Sequence, residues 1–196
     1  APAHLSCYML TYEKGTPLDR QRQAGAVIPA DEETVGKLFS DTAHYLRACG
    51  YVHYEISNFA ESESLMSRHN RKYWNMAPYF GFGPSAHSFI PPQRSWNIRS
   101  VGHYIQQIEK GKLPVESSET LSSEAMMIEA VYLGLRQHQG IDIQEFDQRF
   151  GVSFQEVFRH QLEILEQKAL IKMTGKFCRL SEKGILFADG IAAFLI

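Results

Sequence analysis

The first 57 residues constrain the fold most. HLSCYMLTY, residues 4–12, reads as a strand rich in apolar and aromatic residues. EKGTPL follows as a turn marked by Gly15 and Pro17, and residues 19–30 read as an exposed loop. Asp31 then caps a helix with Glu32 and Glu33 in its first turn, where carboxylates meet the positive end of the dipole. Val35, Leu38, Phe39, Ala43 and Leu46 recur at helical spacing, Gly50 stops the helix, and Tyr51 to Ser57 reads as a second strand. Strand, loop, helix, strand is the order of a βαβ unit with parallel strands. Two parallel strands are not stable alone, and a parallel sheet needs both faces covered. The chain is therefore expected to form the last units of a larger α/β sheet or barrel. Its open edge would be completed by preceding chain or by a second copy.

The segment from Glu55 to Ser88, EISNFAESESLMSRHNRKYWNMAPYFGFGPSAHS, concentrates histidine, aromatic rings and Gly/Pro breaks. Gly81 and Gly83 permit positive φ or close backbone approach, and aromatic rings supply apolar walls with a polar edge. The imidazoles of His69 and His87 suit ligation of a haem iron or another metal, or the orientation of a substrate carboxylate. The alternative is that both are hydrogen-bonded structural histidines. Arg68, Arg71 and Lys72 surround His69, either as partners for acidic ligand groups or as a solvated basic face. A flat apolar ligand carrying acidic groups satisfies both features. Glu13 and Glu55 fall near the C-terminal ends of the two strands, the edge where α/β sheets and barrels bind ligands; solvated carboxylates are the alternative. Trp96 reads as a plain core residue.

Further on, Ser95 to Ile98 reads as a short strand and Val101 to Lys110 as a helix with Tyr104, Ile105 and Ile108 on its apolar face. GKLPVESSETLSS, residues 111–123, is polar and carries Gly and Pro, so it reads as a linker, with a domain boundary near residue 118. Residues 1–118 and 119–196 are then two domains. In the second, Ser122 opens a helix through Arg136, and Asp142/Glu145 and Ser153/Glu156 are capping pairs for helices to Phe150 and over 154–167. LIKMTGKFCRL reads as a hairpin about Thr174-Gly175-Lys176, and a last helix starts near Ser181. Three helices and then a hairpin is winged-helix order. Glu145, Asp147, Glu156, Glu163 and Glu166 around the third helix would repel phosphate, so no nucleic-acid partner is expected.

Bulk numbers agree with a soluble globular chain: 44% hydrophobic, 21% charged and net charge −2, with no apolar run long enough for a membrane span and no signal peptide at the start. Cys7, Cys49 and Cys178 are far apart, a poor disulfide framework that fits a reducing, cytoplasmic compartment. They contain no cluster motif.

EISNFA, SRHNRKYW and PYFGFGPSAHS, with CYMLTYEKGTPL before them and the KG and FL endings after, make the chain resemble the HemW-like haem chaperones. That family belongs with the oxygen-independent coproporphyrinogen III oxidases of the radical S-adenosylmethionine superfamily. The resemblance implies the last β/α units of a partial (β/α)6 barrel followed by a winged-helix-like C-terminal domain. It implies haem or porphyrin binding and delivery of haem to client proteins, with the histidine of an HNxxYW motif, His69 here, as iron ligand. Tyr73 and Trp74 would wall the porphyrin and Arg68, Arg71 or Lys72 pair with its propionates. The intact protein would also hold a 4Fe–4S cluster and S-adenosyl-L-methionine, whose cysteine motif this chain lacks, so no catalytic residue is assigned. Thr11, Glu13, Glu55, Ser85, Ala86 and His87 are the candidates to border the cofactor pocket. The alternatives are radical oxidative decarboxylation of coproporphyrinogen III and a non-enzymatic winged-helix interaction module.

Overall fold

The computed structural model describes residues 2–196. β1 (His4–Ser6) is shorter than its sequence suggests, because beyond Cys7, whose N–H donates to the Ser57 carbonyl at 2.7 Å, residues 8–12 have no strand to pair with. The region read as an exposed loop begins instead inside a helix, α1 (Pro17–Gln23). Thr16 caps it by accepting from the Asp19 N–H, and Pro17 sits at the first helical turn, where its missing N–H costs nothing. Asp19, 2% exposed, is held by the Gly15 N–H, Arg22 and Gln23, and the Arg22 guanidinium keeps its carboxyl below the usual carboxylate range.

α2 (Glu32–Ala48) starts where expected, with the Asp31 carboxylate accepting from the Thr34 N–H, and Gly50 at φ 91° turns the chain after it. The second strand is interrupted. β2 (Val52–His53) reverses through 54–57 into β3 (Asn58–Ala60). β3 lies between β1 and β2 and runs antiparallel to both. The two predicted strands therefore do run in one direction, as a βαβ unit requires, yet they never pair. The Glu55 carboxylate causes the reversal: 2% exposed, it accepts from the Ser57 N–H at 2.8 Å and Asn58 Nδ2 at 2.5 Å. Ala43 and Leu46 of α2 pack with Tyr51 and Phe59 against this small sheet.

α3 (Arg68–Trp74) follows, then an antiparallel meander of β4 (His87–Ile90), β5 (Gln93–Asn97) and, after α4 (Val101–Glu109), β6 (Val115–Thr120). β6 corrects the linker. Its six residues are all exposed, so VESSET lacks the alternation that marks a half-buried strand, yet its backbone pairs with β5 and residue 118 falls inside it. Ile105 and Ile108, expected on an apolar packing face, are each 49% exposed.

The remaining elements are α5 (Ser123–Leu135), β7 (Ile141–Asp142), α6 (Ile143–Phe150), α7 (Phe154–Val157), α8 (Arg159–Gln167), β8 (Ile171–Met173), β9 (Phe177–Leu180), α9 (Glu182–Ile185) and α10 (Ala188–Leu195). Both capping pairs form, Asp142 and Ser153 accepting from the N–H groups of Glu145 and Glu156, and Ser122 caps α5 by accepting from the Ala125 N–H. The helix expected over 154–167 breaks at Phe158 and the last helix at Phe187. Phe158 instead turns into the core, with its ring centroid 5.1 Å from that of Phe154. β9 is central in the sheet β7-β9-β8, and one apolar core runs from Val131 to Leu195.

The two regions are stitched along the α5–β7 connection. The Ile56 N–H donates to Arg136 O at 3.1 Å and the His138 N–H to Tyr54 O at 3.0 Å, while Ile56 packs on the C-terminal core.

Candidate functional site

Ser67 starts α3 by accepting from the Asn70 N–H, which puts His69 and Tyr73, four residues apart, on one helix face. Their rings meet edge to face at 4.9 Å and 80°. His69 is exposed, and among the described residues its ring takes part in no hydrogen bond, so either nitrogen is free to coordinate. Arg68, Arg71 and Lys72 are exposed and make no ion pair among the described residues; Arg71 and Lys72 also complement the negative end of α3. Trp74 lies on the inner side of the helix, with the Arg136 guanidinium 5.1 Å over its ring.

The next strap is held closely. Tyr79 exchanges two backbone hydrogen bonds with Phe89, at 2.8 and 2.9 Å. Asn97 Nδ2 donates to the carbonyls of Gly81 and Gly83, and the Gly83 N–H donates to the Tyr104 hydroxyl. A Cβ at Gly81 would stand 2.1 Å from the His87 carbonyl oxygen, so only glycine fits there. The GFGPS strap thus fastens the start of β4, where His87 faces Trp96 across the ladder at 5.8 Å between ring centroids.

Between this meander, α3 and α5 lies a cleft of about 750 Å³. Tyr73, Trp74, Tyr79, His87, Phe89 and Trp96 make its aromatic lining, and Ile128, Tyr132 and Leu133 of α5 close the other side. Arg94 bridges the two, donating to both Glu129 carboxylate oxygens (2.7 and 2.5 Å) and to Glu119 at 3.2 Å. The Glu129 partner holds the guanidinium's pKa above its ordinary value, and burial raises that of the Tyr79 phenol.

His69, Tyr73, Trp74 and His87 are therefore brought to one neighbourhood. The other candidates for the cofactor pocket are not. Thr11 and Glu13 are exposed beyond β1, where their neighbour Tyr12 borders a separate cleft of about 290 Å³ against α2. Glu55 is the buried turn residue described above, and Ser85 and Ala86 belong to the strap outside the cleft lining. Trp96 is half-buried and lines the cleft instead of the core. Phe89, Arg94, Glu129 and Tyr132 escaped the sequence reading because strand register and a helix some thirty residues downstream bring them together.

The cysteines do not fit an iron–sulfur cluster. Cys7 follows β1, Cys49 is exposed at the end of α2, and Cys178 is buried in β9 with its thiol pushed up to about 12 by burial. Among the described residues no three acidic, histidine or cysteine side chains converge as a metal site.

Residues 121–187 match the HemN C-terminal domain. Over 193 residues the chain is 32% identical to the Heme chaperone HemW of Bacillus subtilis (strain 168), covering 98% of this chain and 51% of that protein. It is HemW-like. The HemW-like chain is also 30% identical to the Heme chaperone HemW of Mycobacterium tuberculosis (strain ATCC 25618 / H37Rv), covering 98% of this chain and 47% of the relative. The mitochondrial Radical S-adenosyl methionine domain-containing protein 1 of Bos taurus is 30% identical over 206 residues, with 98% of this chain and 46% of the relative covered. The chain thus spans about half the length of the curated relatives it matches. Its fold matches the solved Escherichia coli coproporphyrinogen III oxidase HemN, a radical SAM enzyme, with a TM-score of 0.74 at 19% identity, covering 100% of this chain and 48% of that one.

Proposed function

We propose that this chain is the haem-binding portion of a haem chaperone, with His69 as the iron ligand and haem as a cargo passed to haem-requiring client proteins. One observation carries the reading: among the described residues, an exposed histidine whose ring makes no hydrogen bond sits beside Tyr73 on a helix that also presents three cations without ion pairs. A neutral imidazole suits ferric or ferrous haem, and guanidinium or ammonium groups suit its propionates. The names of the HemW relatives support the same cargo. In the intact protein S-adenosyl-L-methionine and a 4Fe–4S cluster belong to parts other than the cysteines described here. Residues 1–118 are read as the end of a partial barrel and 119–196 as a winged-helix-like domain, a reading supported by the order of one helix, a short strand, three helices and a hairpin from α5 to β9. The compartment proposed is the cytoplasm, and among the described residues no helix is long and apolar enough to cross a membrane.

Titrating haem into wild type and His69→Ala, and reading the Soret band, tests the ligand. The variant is expected to lose the wild-type shift and bind more weakly; an unchanged spectrum and affinity would remove His69 from the site. Delivery is tested by mixing the haem-loaded protein with an apo-cytochrome and following transfer. The HemN fold favours one second reading, oxidative decarboxylation of coproporphyrinogen III. Robust formation of protoporphyrinogen by the full-length, cluster-loaded protein with S-adenosyl-L-methionine would replace the chaperone reading.

A further inference from the structure

We propose that the cleft between the β4–β5–β6 meander and α5 seats the flat ring of the tetrapyrrole, while His69 on α3 supplies the iron ligand at its mouth. The proposal rests on the haem reading and gives it a pocket, which α3 by itself does not form. The size is right: about 750 Å³ falls within the ~300–1,000 Å³ of small-molecule sites.

The lining is right as well. From the exposed His69 the rings run inward as a ladder, Tyr73 at 4.9 Å, Tyr79 at 4.7 Å from Tyr73, and Phe89 at 6.2 Å from Tyr79. His87 and Trp96 add a second aromatic pair to the lining, and Ile128 and Leu133 an aliphatic side. A conjugated macrocycle stacks on such rings and gains from leaving water.

The charges assign the orientation. Arg94 is already matched by Glu129 and Glu119, so among the described residues the cleft lining offers no free Lys or Arg and does not draw a carboxylate inward. While Arg71 lines a separate cleft between α3, α5 and α6, Arg68 and Lys72 on the helix that carries His69 are exposed and make no ion pair among the described residues. Acidic groups therefore stay outside with them, and the apolar ring goes in. The Arg94–Glu129 pair, joining β5 to α5, sets the width of the slot.

Metal-free protoporphyrin IX separates the pocket from the ligand, because it carries the ring and the carboxylates but no iron. Its fluorescence anisotropy is measured with wild type, His69→Ala and the cleft-filling Ile128→Trp, and haem binding is followed in parallel at the Soret band. Wild type and His69→Ala are expected to bind the metal-free ring alike. Ile128→Trp is expected to lose about tenfold or more toward both ligands. Should Ile128→Trp not fold, Trp96→Leu, which strips one wall, takes its place. Wild-type affinity for the metal-free ring in a folded cleft variant, or no binding of that ring by wild type, overturns the pocket and leaves the His69 reading standing. Retention of the wild-type haem spectrum by His69→Ala, with both ligands lost from Ile128→Trp, overturns the ligand and upholds the pocket.

Discussion

The C-terminal core and the haem-candidate helix are built on opposite plans. Val131, Leu135, Phe154 and Leu195 are at most 1% exposed, and every helix and strand from α5 onward except α9 contributes at least one residue to one continuous cluster. α3 has no buried residue at all, and the second cluster, between α2 and the small sheet, has Ala43, Leu46, Tyr51 and Phe59 as its buried members among the described residues. The same chain thus gathers most of its buried apolar side chains in one core and keeps His69, Tyr73 and the α3 cations on a thinly packed ledge. The proposed ligand exchange would draw on that arrangement, since loading and release require open approach, and regions with few buried contacts are those that open locally. The Ile56–Arg136 and His138–Tyr54 hydrogen bonds and the Arg94–Glu129 pair fix the turn after β2 and the meander, which flank α3, to the core.

The contrast can be broken most severely in the core. Phe154→Ala removes a fully buried ring and is expected to cost about 3–5 kcal/mol by urea unfolding. Leu46→Ala in the small cluster, whose surroundings can collapse, should fall near the low end of the leucine range, about 2 kcal/mol. Equal losses would erase the distinction between the two regions.

Gly140→Ala comes next. Gly140 has φ 84° in the turn between α5 and β7, and a Cβ there would lie 2.2 Å from the Cys178 carbonyl oxygen. Backbone strain alone is worth about 1–3 kcal/mol, and the turn carries the seam, so the melting temperature should drop while the far-UV spectrum keeps its helix content.

The seam also predicts a pH dependence. His53 stacks on Phe59 at 4.2 Å and lies 5.6 Å from His138, with Arg47 of α2, Arg179 of β9 and Glu182 of α9 as the charges around the pair. Burial first, then the neighbouring positive charges, lowers both imidazole pKa values in the folded state. Each ring, His53 buried and His138 half-buried, holds a proton less readily in the folded state than after unfolding. Their stabilisation is present above the ordinary histidine range and is lost as pH falls through it toward the folded values. The slope is at most about 1.4 kcal/mol per pH unit for each proton. A Tm series from pH 7.5 to 5 should fall, and the double variant His53→Phe, His138→Gln should flatten it.

The smallest stability effect belongs to the ledge. His69→Ala should change unfolding free energy by no more than about 0.5 kcal/mol while altering the Soret band. A large loss of stability would mean that His69 packs, and the ledge would then resemble the core after all.

Capping signals were legible one residue at a time, and the structure keeps Asp31, Ser122, Asp142 and Ser153 at the helix starts because a cap needs only its own next three residues. His69, Tyr73 and Trp74 stood out in the sequence through the density of histidine and aromatic residues and through a resemblance, but helix α3, which puts the first two on one face, was not read there. Pairing was not legible. β3 slips between β1 and β2, and VESSET becomes an edge strand, through backbone hydrogen bonds that leave no pattern in the side chains. Nor was Glu55, whose carboxylate at a strand end suggested a pocket but folds back onto its own turn.

By itself, then, the sequence determined the capped starts of α2, α5, α6 and α7 and the aromatic and basic chemistry of HNRKYW, all consequences of interactions a few residues long. Only the tertiary structure decided that Trp96, His87, Arg94 and Glu129 meet Tyr73 and Tyr79 around a single cleft. That meeting depends on strand register, which sets His87 opposite Trp96, and on α5 docking against the meander, where Arg94 meets a residue more than thirty positions away.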